Sequence, residues 1–320
     1  MPRPPGTIVK TTVAIVAFAT LAAACGGGSS AAHTSGATDA ANTTTSTDPA
    51  QNPATALRTV QQALAATQAA KSAHVTTHFV YDTDALGTNT GSQGTTNFAN
   101  GDGQWVSDVA GQNNGVVPAN TPPTQLSTQV LETGNLLYVS LPPAFAAAGI
   151  PETWVRFPAK APAGAAPAAE INPLNARIAL ASRAQRPQVA LDLLATAKDA
   201  RYVGPTSVNG TPTTDYSIDV NTRVLLSDLG LMQLVGNPTR DGALASLDDV
   251  LAPASTVDVD VDAAGRVRAL MVDLDLSALA PHFVPAQNPL EWRELRAEWD
   301  FDTFGAPVNV TAPASVHPLP

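Results

Sequence analysis

The sequence predicts an α+β fold: a long antiparallel sheet with three or more helices on its apolar face. Three observations carry this. Val257-Asp258-Val259-Asp260-Val261-Asp262 alternates strictly, the returning run sets Leu270, Val272, Leu274 and Leu276 on one side, and residues 294–301 interleave Leu295, Ala297, Trp299 and Phe301 with Glu294, Arg296, Glu298 and Asp300. A period of two leaves one face of a sheet in water and buries the other. Helical spacing appears instead in 55–71, 187–198 and 223–235, and no segment recurs at a solenoid period, so these helices have to pack onto the sheet.

The chain begins with the pattern of an export signal over residues 1–24. Arg3 and Lys10 form a basic start, Thr11 to Leu21 an apolar centre, and Ala22 to Ala24 a small-residue exit. The apolar run falls short of the roughly 20 residues a membrane span needs, which predicts cleavage rather than retention. Leu21-Ala22-Ala23-Ala24-Cys25 resembles the lipobox of bacterial lipoproteins, with the leucine one place early. Cys25, the single cysteine of the 320 residues, lies where the acyl acceptor must be. The resemblance implies that it becomes the first mature residue, lipidated on sulfur and amine, since two or more chains anchor stably where one does not. Residues 25–54, rich in Ser, Thr, Ala and Gly, bury too little surface to offset their ordering entropy. They read as a tether reaching on the order of 30 Å.

The folded region is expected over 55–314, with 315–320 as a C-terminal tail. Its first element is an amphipathic helix, Thr55 to Lys71, carrying Leu57, Val60 and Leu64 on one side. Short runs rich in Tyr, Trp, Val and Thr follow as strands: His74 to Tyr81, Gln104 to Val109, Asn135 to Leu141 and Thr153 to Phe157. The Asn-, Gly- and Pro-rich stretch 84–127 and the Ala- and Pro-rich 159–172 read as turns and loops. A helical segment is expected from about Leu174, and another from Pro187, a residue suited to the first helical position. The latter places Val189, Leu193, Leu194 and Ala197 on one face. Two strand runs, 200–208 and 213–220, flank Asn209-Gly210, a strong hairpin signal. The 223–235 helix carries Val224, Leu225, Leu226, Leu229, Leu231, Met232, Leu234 and Val235, apolar round much of its circumference.

Composition narrows the function. A formal charge of −10, from 17 basic and 27 acidic side chains, argues against nucleic acid as a partner, because phosphate binding rests on Lys and Arg. One cysteine rules out an internal disulfide or a Cys-rich metal site. Neither a Gly-x-Ser-x-Gly elbow, a His-Glu-x-x-His pair, a phosphate loop nor a dinucleotide fingerprint occurs, so no enzyme, metal or cofactor is expected. His74 and His78 are four apart in a strand, about 13 Å, too far to share an ion. Asp258, Asp260 and Asp262 lack the glycine and glutamate of a calcium loop, with Ala263 and Ala269 in those places, and read as a solvated sheet face. The four tryptophans, Trp105, Trp154, Trp292 and Trp299, read as core or rim.

The segments Lys71-Ser72-Ala73-His74-Val75, Val203 to Tyr216 (VGPTSVNGTPTTDY) and Phe304-Gly305-Ala306-Pro307-Val308 followed by Ala312-Pro313, together with Cys25, resemble the LppX/LprG-type lipoproteins of mycobacteria and related bacteria, whose fold is similar to that of the LolA-type carriers. The resemblance implies a strongly curved antiparallel sheet, a half barrel, with helices closing its concave apolar face. It also implies an acylated lipid or glycolipid held in the cavity and carried across the envelope, anchoring to the outer face of the cell membrane through Cys25, and an envelope transporter as partner. Candidate cavity residues are Val189, Leu193, Leu194, Leu225, Leu226, Leu229 and Met232. The same residues serve equally as plain core, and an envelope adaptor with a packed interior, binding a protein through the loop Leu141 to Pro151, is the other reading. Changing Cys25→Ala is expected to move the protein produced in its host from the detergent phase to the aqueous phase on Triton X-114 partition, with the unprocessed precursor accumulating.

Overall fold

The computed structural model describes residues 52–83, 88–108, 127–142, 154–160, 179, 181–229, 255–275, 277 and 292–318, all within one compact unit. Cys25, Met232, residues 84–87 and 109–126 of the stretch 84–127, and most of the loops 141–151 and 159–172 lie outside the described residues. Three helices are delimited, α1 (Pro53–Ala69), α2 (Pro187–Leu194) and α3 (Thr222–Leu229), and residues 179 and 181–184, in the segment expected to be helical from about Leu174, are helical as well. The strands are β1 (Ser72–Thr83), β2 (Thr88–Asn97), β3 (Gly103–Asp108), β4 (Ser127–Thr133), β5 (Leu136–Ser140), β6 (Trp154–Pro158), β7 (Asp199–Val208), β8 (Thr211–Asp219), β9 (Ser255–Asp262), β10 (Val267–Asp275), β11 (Trp292–Asp302) and β12 (Val316–Pro318). They form one open sheet of twelve strands in the order β12-β6-β5-β4-β3-β2-β1-β11-β10-β9-β8-β7, an α+β half barrel. Every pairing is antiparallel except β12 on β6.

Helix α1 starts two residues before the periodic run, because Asn52 caps it, its side chain accepting from the Ala54 N–H at 2.9 Å, and Pro53 needs no donor there. Its buried stripe is Ala56, Val60, Ala63 and Thr67, with Leu57 and Leu64 only partly buried at the flanks. Small residues let the helix lie close to β7–β10. Thr67 then pins it: its hydroxyl accepts from the Val267 N–H at 2.8 Å and donates to the Ala63 carbonyl.

The β7–β8 turn has Asn209 at φ 49° and Gly210 at φ 78°, the double positive φ that matches the twist of a two-residue hairpin. Strands β9, β10 and β11 alternate as the sequence predicts, with Val257, Val259, Val261, Leu270, Val272, Leu274, Leu295, Ala297, Trp299 and Phe301 all buried. Asp262 departs from its row. It is buried, accepts from the N–H groups of Ala264 and Arg266 and pairs with the Arg266 guanidinium at 3.0 Å, so it shapes the turn and does not face solvent.

Three other corrections concern strands. β2 (TNTGSQGTTN) lies inside the stretch read as loop; it lacks apolar alternation, and its pairing with β1 and β3 is what makes it a strand. β4 was hidden at the end of the same stretch. Residues 316–318, expected as tail, add β12, while 304–313 contribute no strand.

The β2–β3 contact is close. A Cβ on Gly94 would stand 2.1 Å from the Gln104 carbonyl oxygen and 2.4 Å from the Trp105 Cβ, and one on Gly103 would meet the Trp105 ring at 2.6 Å. Gly94→Ala is therefore expected to cost about 3 kcal/mol, the upper end for overpacking, read as a lowered urea midpoint at unchanged slope. On the outer face, burial and the neighbouring Asp258 and Asp260 raise the Asp215 carboxyl to about 6. The folded state then holds a proton more tightly than the unfolded chain, so stability falls as pH rises from about 4 to 6, and the penalty is fully present above that. Asp215→Asn is expected to raise the melting temperature at pH 7.5 and to leave it unchanged at pH 4.

Candidate functional site: the concave face

Register fixes which side chains share the inner face. Thr77 lies opposite Trp299 on β11 and Ser92 on β2; Ser92 lies opposite Ser107 on β3, and Ser107 opposite Thr128 on β4. These five positions form one row across five strands, and each side chain is 6% exposed or less. The Thr77 and Ser92 hydroxyls share a hydrogen bond of 2.6 Å, Gln185 donates to the Ser107 hydroxyl at 2.6 Å, and Thr128 donates to the Ser140 carbonyl at 2.7 Å.

Two apolar clusters flank this row on the inner face. One cluster joins α1, α2 and α3 to β1 and β7–β11; the other joins Trp105, Val130, Leu137, Val139, Val155 and Phe157 to Ala159 and Ala179. Six of the seven cavity candidates are described and they come together in the first cluster: Val189, Leu193 and Leu194 from α2, Leu225, Leu226 and Leu229 from α3, none more than 2% exposed. Along α2 the buried residues Pro187, Val189, Ala190, Leu191, Leu193 and Leu194 sweep about 200° at 3.6 residues per turn. Such a wide arc needs apolar partners on more than one side, and α2 has them in the sheet, α1 and α3.

What the sequence reading missed is the polar anchor of this helix. The segment 182–187, just before and into α2, is wholly buried although it carries Arg183, Gln185 and Arg186. Arg186 grips Glu132 of β4 through Nε, 3.0 Å from both carboxylate oxygens, and Nη2 at 2.6 Å from Oε1, and donates from Nη1 to the Ala159 carbonyl at 3.1 Å. Burial raises the Glu132 carboxyl above its ordinary value, with the guanidinium pulling the other way. Arg183 lies over the Phe157 ring and donates to the Pro158 carbonyl; burial, then Arg186, pushes it down to about 10. Lys160 clasps both short helices, 2.5 Å from Asp192 of α2 and 3.7 Å from Asp228 of α3. Glu132 and Arg186 stand far apart in sequence with no shared motif, so only the pairing of β4 with the α2 approach could reveal them.

His74 and His78 lie on the outer face of β1, and His74 meets Asp302 at 3.2 Å. Among the described residues no three His, Cys, Asp or Glu side chains gather for a metal, and no helix is long and apolar enough to cross a membrane. Trp105 and Trp299 are buried on the inner face.

No protein-family profile and no curated protein sequence matches the chain. Among solved structures it is similar to the Mycobacterium tuberculosis lipoprotein LppX, at 13% identity, 82% of this chain, 100% of that one and a TM-score of 0.42. It is similar to LprF from Mycobacterium bovis, at 14%, 81%, 97% and 0.40, and to the LolA-superfamily protein NE2245 from Nitrosomonas europaea, at 9%, 78%, 91% and 0.28. LppX and LprF are of the lipoprotein group that the sequence resembles.

Removing one partner of a buried ion pair strands the other charge, which costs about 3–5 kcal/mol. Arg186→Met is expected to lose that much in urea unfolding, and Glu132→Leu added to it to recover a large part.

Proposed function

We propose that the protein is an exported lipoprotein, anchored through acylated Cys25 to the outer face of the cell membrane, that binds the acyl chains of a lipid between the concave face and helices α2 and α3. The observation that carries this reading is the character of those helices: two eight-residue helices, too short to be stable alone, bring Val189, Leu193, Leu194, Leu225, Leu226 and Leu229 onto the inner face of an open sheet. An acyl chain gains about 0.8 kcal/mol for every CH₂ it takes out of water, so such a surface needs no catalytic group to hold it. Lys160 ties the two-turn helices to one another, and acyl chains entering between them and the sheet would replace the apolar contacts that these leucines now make. Carriage of the lipid between envelope layers follows from the tether expected over 25–54, which leaves the domain free to turn.

Organic extraction of the protein purified from its own host, followed by mass spectrometry, is expected to yield acylated lipid in stoichiometric amount. Leu226→Trp, which adds bulk between α3 and the sheet, is expected to cut the retained lipid at least about tenfold, about 1.4 kcal/mol. A lipid-free wild-type protein that fails to take up any acyl chain in vitro overturns the proposal.

A further inference from the structure

The inner face holds more hydrogen-bonding capacity than the protein uses. The Trp299 Nε1–H, at one end of the hydroxyl row, has no partner, nor does the Trp105 Nε1–H, two residues along β3 from Ser107. The Thr90 hydroxyl, two residues along β2 from Ser92, and the Gln185 amide oxygen, whose nitrogen is bonded to Ser107, are also unpartnered. All four side chains are at most 4% exposed. Thr90 lies opposite Phe79 and Trp105 opposite Gly94, so both are on the concave side with Trp299. A buried polar atom without a partner is costly, and native proteins keep few of them. Here they gather around a single row, and the Glu132–Arg186 pair on the same face is internally neutralised.

We infer that this row and its four unpartnered groups form a subsite inside the half barrel for the uncharged oxygens of an ester-linked lipid. The inference rests on the lipid-binding reading and adds a location and a chemistry to it. Indole N–H groups only donate, so they take carbonyl oxygens of the acyl esters. The Gln185 oxygen only accepts, so it takes a free hydroxyl of the alcohol to which the acyl groups are joined. Thr90 can do either. The row therefore sits where the linkage region of the ligand rests, with the hydrocarbon running onward across the leucines of α2 and α3. The polar linkage is buried in the interior and is not left in the mouth. The row and its unpartnered atoms carry no net charge to pair with a phosphate.

The test uses the purified full-length chain, a fluorescent fatty-acid probe, and displacement by 1,2-dioleoylglycerol or by octadecane. Trp299→Phe combined with Thr90→Val removes two unpartnered polar groups; valine keeps the shape of Thr90, whereas the smaller phenyl ring at 299 leaves a void, so the double variant is expected to be less stable in urea than the wild type, and its octadecane binding shows that the fold is kept. The wild type is expected to prefer dioleoylglycerol over octadecane by tenfold or more, and the double variant to lose that preference while still binding octadecane equally well. In the ¹⁵N spectrum of the wild type, the Trp105 and Trp299 indole N–H signals are expected to move downfield on adding dioleoylglycerol and to stay in place with octadecane. Octadecane binding with a preference that the double variant leaves intact, or with no preference at all, overturns the subsite, leaves lipid binding standing and assigns the four groups to ordered water. Absence of binding by either compound overturns both readings.

Discussion

Asp215, Asp258, Asp260, Asp273, Glu298 and Asp300 keep one face of β8–β11 in water, and the alternate side chains of the same strands must then be taken out of it. Val259, Leu270, Val272, Leu274, Leu295 and Trp299 are each at most 1% exposed, which at about 25 cal/mol per Å² makes their cover the dominant favourable contribution in this half of the molecule. The cover is α1, laid close through Ala56, Val60, Ala63 and Thr67, with α2 and α3 beside it. The price of the one-sided design appears on the wet face, where partial burial first, and neighbouring carboxylates after it, hold Asp215, Asp260 and Asp300 above their ordinary values.

The β2–β6 half meets the same requirement with different chemistry. Its inner face is built from Thr90, Ser92, Gly94, Gly103, Ser107, Thr128 and Glu132 as much as from Val130 and Leu137. What covers it is the polar segment 183–186, the end of a helical turn and the link into α2, held by Glu132, Ser107 and two backbone carbonyls, Pro158 and Ala159. The Glu132–Arg186 pair thereby sets where α2 begins, and α2 sets where its leucines lie. An ion pair of this kind contributes less to stability than to uniqueness of position, and position is what a binding face needs.

Much of the fold was legible in the letters. Strict alternation gave β9, β10 and β11, Asn209-Gly210 gave the β7–β8 hairpin, and helical period gave α1 and the starts of α2 and α3 to within two residues. The rest was hidden for physical reasons. β2 has no apolar residue to alternate, since its inner positions are Thr, Ser and Gly that fit beneath Trp105 and beside Thr77. The sequence picked Leu57 and Leu64 as the core of α1 by size, whereas closeness to the sheet selects Ala56 and Ala63. Asp262 looks like a third member of a solvated row, and is drawn inside by Arg266 across the turn.

The candidate site divides in the same way. Val189, Leu193, Leu194, Leu225, Leu226 and Leu229 could be named in advance, because a wide apolar arc on a short helix is a local property written in neighbouring residues. The hydroxyl row could not: Thr77, Ser92, Ser107 and Thr128 are ordinary polar residues until antiparallel pairing aligns them, and Glu132 meets Arg186 only across β4. The sequence by itself determined which way each side chain faces along its own strand or helix, since that depends on a period of two or 3.6. Tertiary structure alone decided which of those faces stand side by side, since register between distant strands is a long-range choice that no local period encodes.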